Sequence, residues 1–116
     1  MDLGYDHYNI GMELLESGKF TEAMQSFKAS LSLQSHFKTY ERLYDCCKQL
    51  GYNEEAFQYI GFAFANNGAN DKVAYAYASE LSERGRSKEA AEILSGVLSR
   101  NPSYKKAREL LTRLQA

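Results

Sequence analysis

The chain repeats itself at a fixed interval, and that interval limits its fold more than any other feature. Glycine recurs at Gly18, Gly51 and Gly85 and alanine at Ala23, Ala56 and Ala90, both with spacings of 33 and then 34 residues. Two independent landmarks therefore keep one period. A unit of this length is a single supersecondary element that cannot bury its apolar face alone, so neighbouring units must stack to make a continuous core. Each alanine follows a glutamate, Glu22, Glu55 or Glu89. That placement suits the first turn of a helix, where a carboxylate meets the positive end of the macrodipole.

Within each unit the apolar residues fall at three- and four-residue steps, the spacing of a helix face. Ile10, Gly11, Leu14 and Leu15 form one stripe, followed by Ala23, Phe27, Ser30 and Leu31. Leu43, Tyr44, Cys47 and Leu50, then Ala56, Ile60, Ala63 and Phe64, repeat the arrangement. The third set is Tyr77, Ala78 and Leu81, then Ala90, Leu94, Val97 and Leu98. The recurring glycine lies between the two helices of each pair, where the chain must turn and a left-handed backbone costs least for glycine. Each unit reads as a helical hairpin. Asn66-Asn67-Gly68-Ala69-Asn70 reads as a turn between units.

At these positions the sequence resembles the tetratricopeptide repeat family. The first unit carries His7, Ile10, Gly11 and Leu14, then Gly18, Phe20, Ala23 and Phe27. The second carries Tyr40, Leu43, Tyr44 and Cys47, then Gly51, Ala56 and Ile60, with bulky Tyr44 where the family favours a small residue. The third carries Ala74, Tyr77, Ala78 and Leu81, then Gly85, Ala90 and Leu94, and closes on Pro102, the only proline. The resemblance implies an all-α fold, a short right-handed α-solenoid of three helical hairpins plus a C-terminal capping helix. The hairpins fall at about 4–36, 37–70 and 71–104, with the cap at about 105–116, in a single domain.

The cap has its own signature. Ala107, Leu110, Leu111 and Leu114 share a face of the last segment, with Lys105, Lys106, Arg108 and Arg113 off it. A solenoid needs such a polar-backed helix over its last apolar face. The segment holds four cations and one anion, whereas residues 1–50 and 51–100 each hold five cations and seven anions. Over all 116 residues the net charge is only −1. That leaves no cationic surplus of the kind that drives phosphate binding, so no nucleic-acid partner is expected. Apolar runs such as Tyr59–Ala65 are far shorter than the roughly 20 residues of a spanning helix, so no membrane partner is expected either. The opening Met1-Asp2-Leu3-Gly4-Tyr5-Asp6 is acidic where a secretory leader would be basic, which favours a cytoplasmic location.

The usual catalytic pairings are absent from the sequence. His7 and His36 show no zinc-binding spacing, His7 fills the aromatic slot of the first hairpin, and no glycine cluster has phosphate-loop spacing. Cys46 and Cys47 are adjacent, which opposes a disulfide inside regular structure, and no second pair exists to complete a metal site. Both read as reduced thiols, Cys47 a small buried hydrophobe and Cys46 its less buried neighbour. No enzyme activity, cofactor or metal is expected.

What the family resemblance implies instead is a concave groove, lined by the first helix of each hairpin, that receives a peptide or helical segment of another protein. Its slots hold Tyr5, Tyr8, Asn9, Met12, Leu15 and Glu16 in the first unit. They hold Lys38, Glu41, Arg42, Asp45 and Lys48 in the second, and Lys72, Tyr75, Ser79 and Ser82 in the third. Tyr8 and Tyr75 stand out, since rigid amphipathic rings anchor interfaces. Asn9, Lys38 and Arg42 match the later part of a clamp with which some family members hold a peptide's terminal carboxylate, but the repeat that completes the clamp is missing. Tyr59 and Phe62, three residues apart and off the apolar stripe, suggest either a self-association patch, which would make a homodimer, or a docking site for another protein on the convex face. The expected function is a non-enzymatic protein-binding module or scaffold. The alternatives are a small secretion or assembly chaperone, a self-associating adaptor, and an RNA-binding helical-repeat protein, whose hairpins would have 35 residues and a basic groove.

Overall fold

The computed structural model describes residues 3–34 and 36–116. Met1 and Asp2, used in reading the N-terminus, and Ser35, at the end of the first hairpin, lie outside the described residues. The described residues form seven α-helices and no strand. These are α1 (Leu3–Glu16), α2 (Phe20–Leu33), α3 (Phe37–Leu50), α4 (Asn53–Asn66), α5 (Asp71–Glu83), α6 (Ser87–Arg100) and α7 (Lys105–Gln115). They pair in sequence as hairpins α1–α2, α3–α4 and α5–α6, with α7 following. The chain divides into two compact units, Met1–Ala63 and Phe64–Ala116.

The period has a backbone cause. Gly18, Gly51 and Gly85 have φ of 76°, 78° and 79°, the left-handed conformation that disfavours any side chain with a Cβ. At each, the next residue donates its N–H back across the turn: Lys19 to the Leu14 carbonyl (2.9 Å), Tyr52 to Cys47 (2.9 Å) and Arg86 to Leu81 (2.9 Å). The glycines themselves donate to Leu15, Lys48 and Ser82 at 3.0, 3.3 and 3.1 Å. This six-to-one plus five-to-two pattern satisfies carbonyls that the helix end would leave orphaned. Lys19 and Arg86 precede α2 and α6 with side chains that carry donors and no acceptor, so neither provides a side-chain cap. The looser junctions have room for one: Asn70 accepts from the Val73 N–H at 3.1 Å to start α5.

In the first unit the core joins Ala23, Met24 and Phe27 of α2 with Leu43, Cys46 and Cys47 of α3 and Ala56 of α4. The tightest contact is Gly11 against Phe27. A Cβ on Gly11 would stand 2.7 Å from the ring, so glycine is what lets α1 lie on this side chain. Ser30 Oγ donates to the Gly4 carbonyl at 2.6 Å inside the same hairpin, latching the start of α1 to the end of α2. The second unit buries Val73, Ala74, Ala78 and Leu81 of α5, Ala90, Leu94 and Val97 of α6, and Ala107 and Leu110 of α7. Arg100 Nη2 meets Asp71 Oδ1 at 3.0 Å, joining the end of α6 to the start of α5.

Three expectations from the sequence need correction. Ile10 shares the helical spacing of Gly11 and Leu14 but is 48% exposed, because it lies on the flank of α1 away from α2. Tyr59 is not an exposed aromatic; it packs half-buried against the cluster containing Cys47 and Ala56. Cys46 is as fully buried as Cys47, since a middle helix of stacked hairpins is covered on two sides and its apolar face is wider than one stripe. Burial, reinforced by the Asp45 charge, pushes the Cys46 thiol up to about 11, and burial also raises Cys47. Iodoacetamide at pH 8 should therefore modify Cys46 in the native chain about 200-fold or more slowly than an ordinary thiol of pKa near 8.5, as judged by thiolate fraction alone. Mass spectrometry of native and urea-unfolded samples reads this directly. The same shift has a stability sign: the contribution of the neutral thiol is complete below about 8.5 and is lost as pH rises towards about 11.

Candidate functional site: a cleft among the first three helices

Where α1, the end of α2 and the start of α3 meet, they leave a cleft of about 470 Å³. Its walls carry Tyr5, Tyr8 and Asn9 from α1, Ser30 and Gln34 from the end of α2, and His36, Lys38 and Thr39 from the start of α3. The local sequence explains the shape. Gly11 lets α1 sit close to α2, and the backbone is extended at Gln34, after α2, and at His36, before α3 begins. His36 Nδ1 accepts from the Lys38 N–H at 3.2 Å, capping α3 and holding the cleft's rim.

The cleft gathers four of the expected groove residues, Tyr5, Tyr8, Asn9 and Lys38. Tyr5 is 60% exposed and Asn9 and Lys38 are exposed, so all three are open to a partner. Tyr8 is half-buried, its ring edge-on to Phe27 at 5.5 Å, so the core fixes its orientation. Met12 is half-buried against the same core and lies deeper than the cleft wall. Among the described residues the lining includes rings, amides, hydroxyls, an imidazole and an ammonium, and no carboxylate.

The charged middle of the expected groove behaves differently. Glu41 is buried, not solvated, and its carboxylate meets Arg42 Nη2 at 3.1 Å. Arg42 Nη1 also donates to Asp45 Oδ2 at 2.8 Å. Burial works to lower the guanidinium's pKa, but Asp45, Glu41 and a hydrogen bond with the Tyr8 phenol outweigh it and raise the value. Arg42 Nε is buried and finds no hydrogen-bond acceptor among the described residues. Arg42 is thus a neutralised, half-buried strut beneath Tyr8. An incoming carboxylate would have to displace two that it already holds. The family resemblance groups Asn9, Lys38 and Arg42; it does not reveal that Glu41 turns inward to occupy the arginine.

In the second unit Lys72 is exposed, while Ser79 and Tyr75 are half-buried, the Tyr75 ring lying 6.0 Å from that of Tyr104. Of the expected convex pair, Phe62 is 51% exposed and tilts against Tyr40 at 5.5 Å, whereas Tyr59 is half-buried against the core. Burial, with Cys47 and Glu55 nearby, raises the Tyr59 phenol. No cluster of side chains among the described residues could hold a metal ion, and no helix among them is long and apolar enough to cross a membrane.

A tetratricopeptide repeat family model matches residues 7–37, the first hairpin and the start of α3. Its left-handed glycine turn recurs in the next two hairpins, and the whole chain superposes on solved tetratricopeptide repeat structures. The first hairpin thus matches a tetratricopeptide repeat by its sequence, and the chain has the tetratricopeptide repeat fold. The Arabidopsis OM64 TPR domain is 20% identical, covers 98% of this chain and 95% of that one, and has a TM-score of 0.81. The second TPR domain of human RPAP3, solved with the HSP70 peptide SGPTIEEVD, is 16% identical over 98% of this chain and 96% of that one, with a TM-score of 0.81. PcrH from Pseudomonas aeruginosa is 18% identical over 99% and 93%, with a TM-score of 0.79. At these identities the likeness shows the fold alone. The comparison with curated proteins finds no match.

Proposed function

We propose that this chain is a non-enzymatic interaction module that holds a segment of another protein in the cleft formed by α1, α2 and α3. The observation that carries the reading is the convergence of exposed Tyr5, Asn9 and Lys38 with core-anchored Tyr8 around one cleft. Two rings offer a rigid apolar surface at low entropic cost. Asn9 and Gln34 can pair with the amides of an extended backbone, and Lys38 supplies a single cation at the rim. The peptide complex of RPAP3 supports a peptide as the kind of occupant. Because Glu41 and Asp45 already engage Arg42, the favoured occupant carries an aromatic or aliphatic side chain for the tyrosines, with at most one acidic group for Lys38. An Arg42 variant would be a poor probe, since it would strand two carboxylates beside the core. Tyr5→Ala combined with Lys38→Glu is a better one. By titration calorimetry the pair should weaken a recovered partner at least about tenfold while leaving urea unfolding within about 0.5 kcal/mol.

A second reading, a secretion or assembly chaperone, draws support from the near end-to-end match to PcrH. Co-expression separates the two: a chaperone raises the soluble yield of its partner, and a simple adaptor does not.

A further inference from the structure

The flank of α1 that exposes Ile10 also carries Leu3, Asp6 and Glu13, all exposed. At 3.6 residues per turn these four fall in one narrow stripe, about 100° around the helix from Tyr5 and Asn9, and so off the cleft. The stripe has an apolar centre with a carboxylate on either side, Asp6 and Glu13, seven residues apart. Seven residues of helix place them about 10.5 Å apart along the axis.

The chain carries a matching surface in α7. Lys106 and Arg113 are both exposed, also lie seven residues apart, and flank the face that buries Ala107 and Leu110. Glu109, between them in sequence, pairs with Lys105 at 3.9 Å. Two cations at this spacing can meet two carboxylates at the same spacing, and their methylene stems can cover Ile10.

We infer that the acidic, apolar flank of α1 is a docking surface for α7 of a second copy of this chain. The contact joins two different surfaces, so it is head-to-tail: the α1 flank and the α7 face engage different neighbours, which gives a ring where the rotation closes and an open chain where it does not. Two exposed ion pairs and one apolar contact make a small interface, so association is weak and sensitive to salt.

The test uses the full chain and two charge-reversed variants, Asp6→Lys/Glu13→Lys and Lys106→Glu/Arg113→Glu, with circular dichroism confirming that each keeps its helices. In sedimentation velocity at about 0.5 mM protein and low salt, the wild type should exceed the 13.2 kDa monomer, and it should return to the monomer at about 0.5 M salt, where screening is short-ranged. Each variant alone should stay monomeric. Mixed together they should associate again, because both contacts between unlike variants, the intact one and the doubly reversed one, set two cations against two carboxylates. Phe62→Ser should associate like the wild type. A wild type that stays monomeric throughout, variants that still associate alone, a mixture that fails to pair, or loss of association in Phe62→Ser would each overturn the inference.

Discussion

Phe27→Ala is expected to lower the unfolding free energy by about 3–5 kcal/mol, the range for removing a fully buried phenylalanine ring. The ring is wholly inaccessible to solvent, lies against the Cβ-less face of Gly11 and takes the edge of Tyr8. Neither neighbour can fill the space: Gly11 has no side chain to extend, and Tyr8 is tied to the Arg42 guanidinium. The cavity would therefore stay open. Because the same ring orients Tyr8, the variant should also disorder the cleft wall. Urea denaturation followed by circular dichroism gives the stability change, and a loss below about 1 kcal/mol would mean that the hairpin collapses onto the gap.

The second prediction concerns the other side of that contact. Alanine is intrinsically better than glycine inside a helix by about 1 kcal/mol, yet Gly11→Ala should destabilise. Its new Cβ would fall 2.7 to 2.9 Å from three carbons of a buried ring that has no free end to swing away. Overpacking of this kind costs about 1–3 kcal/mol, so a net loss of about 1–2 kcal/mol is expected. The third hairpin suggests the remedy, for at the equivalent positions it has Ala78 and Leu94, both fully buried. Gly11→Ala should therefore be less damaging in a Phe27→Leu background, with a coupling of at least about 1 kcal/mol in the double-mutant cycle. Simple additivity would mean that the two residues are not matched in size.

These contacts show what could be read from the sequence and what could not. The glycine period revealed the hairpins because the same left-handed turn is built three times, and only glycine adopts it without strain. The apolar stripes revealed most of the core, since Ala23, Phe27, Leu43, Ile60, Leu81 and Leu94 are all fully buried. Spacing misplaces Ile10 because that residue sits at the edge of its stripe, on the flank of α1 away from α2. It misplaces Cys46 and Tyr59 for a different reason. Periodicity identifies the side of a helix that meets its hairpin partner, but burial also depends on what the adjacent hairpin covers, and that is a property of stacking. The candidate site divides along similar lines. The family resemblance implies a groove position for Tyr5, Tyr8 and Asn9, and all three line the cleft. The inward turn of Glu41 and its hold on Arg42 depend on side-chain packing and desolvation, for which the sequence carries no pattern.

Affinity capture from a cell extract with quantitative mass spectrometry tests most directly whether the cleft of α1, α2 and α3 is the working surface. Wild type, Tyr5→Ala/Lys38→Glu and the control Phe62→Ser would be compared at equal bait. The cleft reading predicts that a discrete set of proteins recovered with wild type and Phe62→Ser falls at least about tenfold with the Tyr5/Lys38 variant. An unchanged set with that variant, or its loss with Phe62→Ser alone, would contradict it.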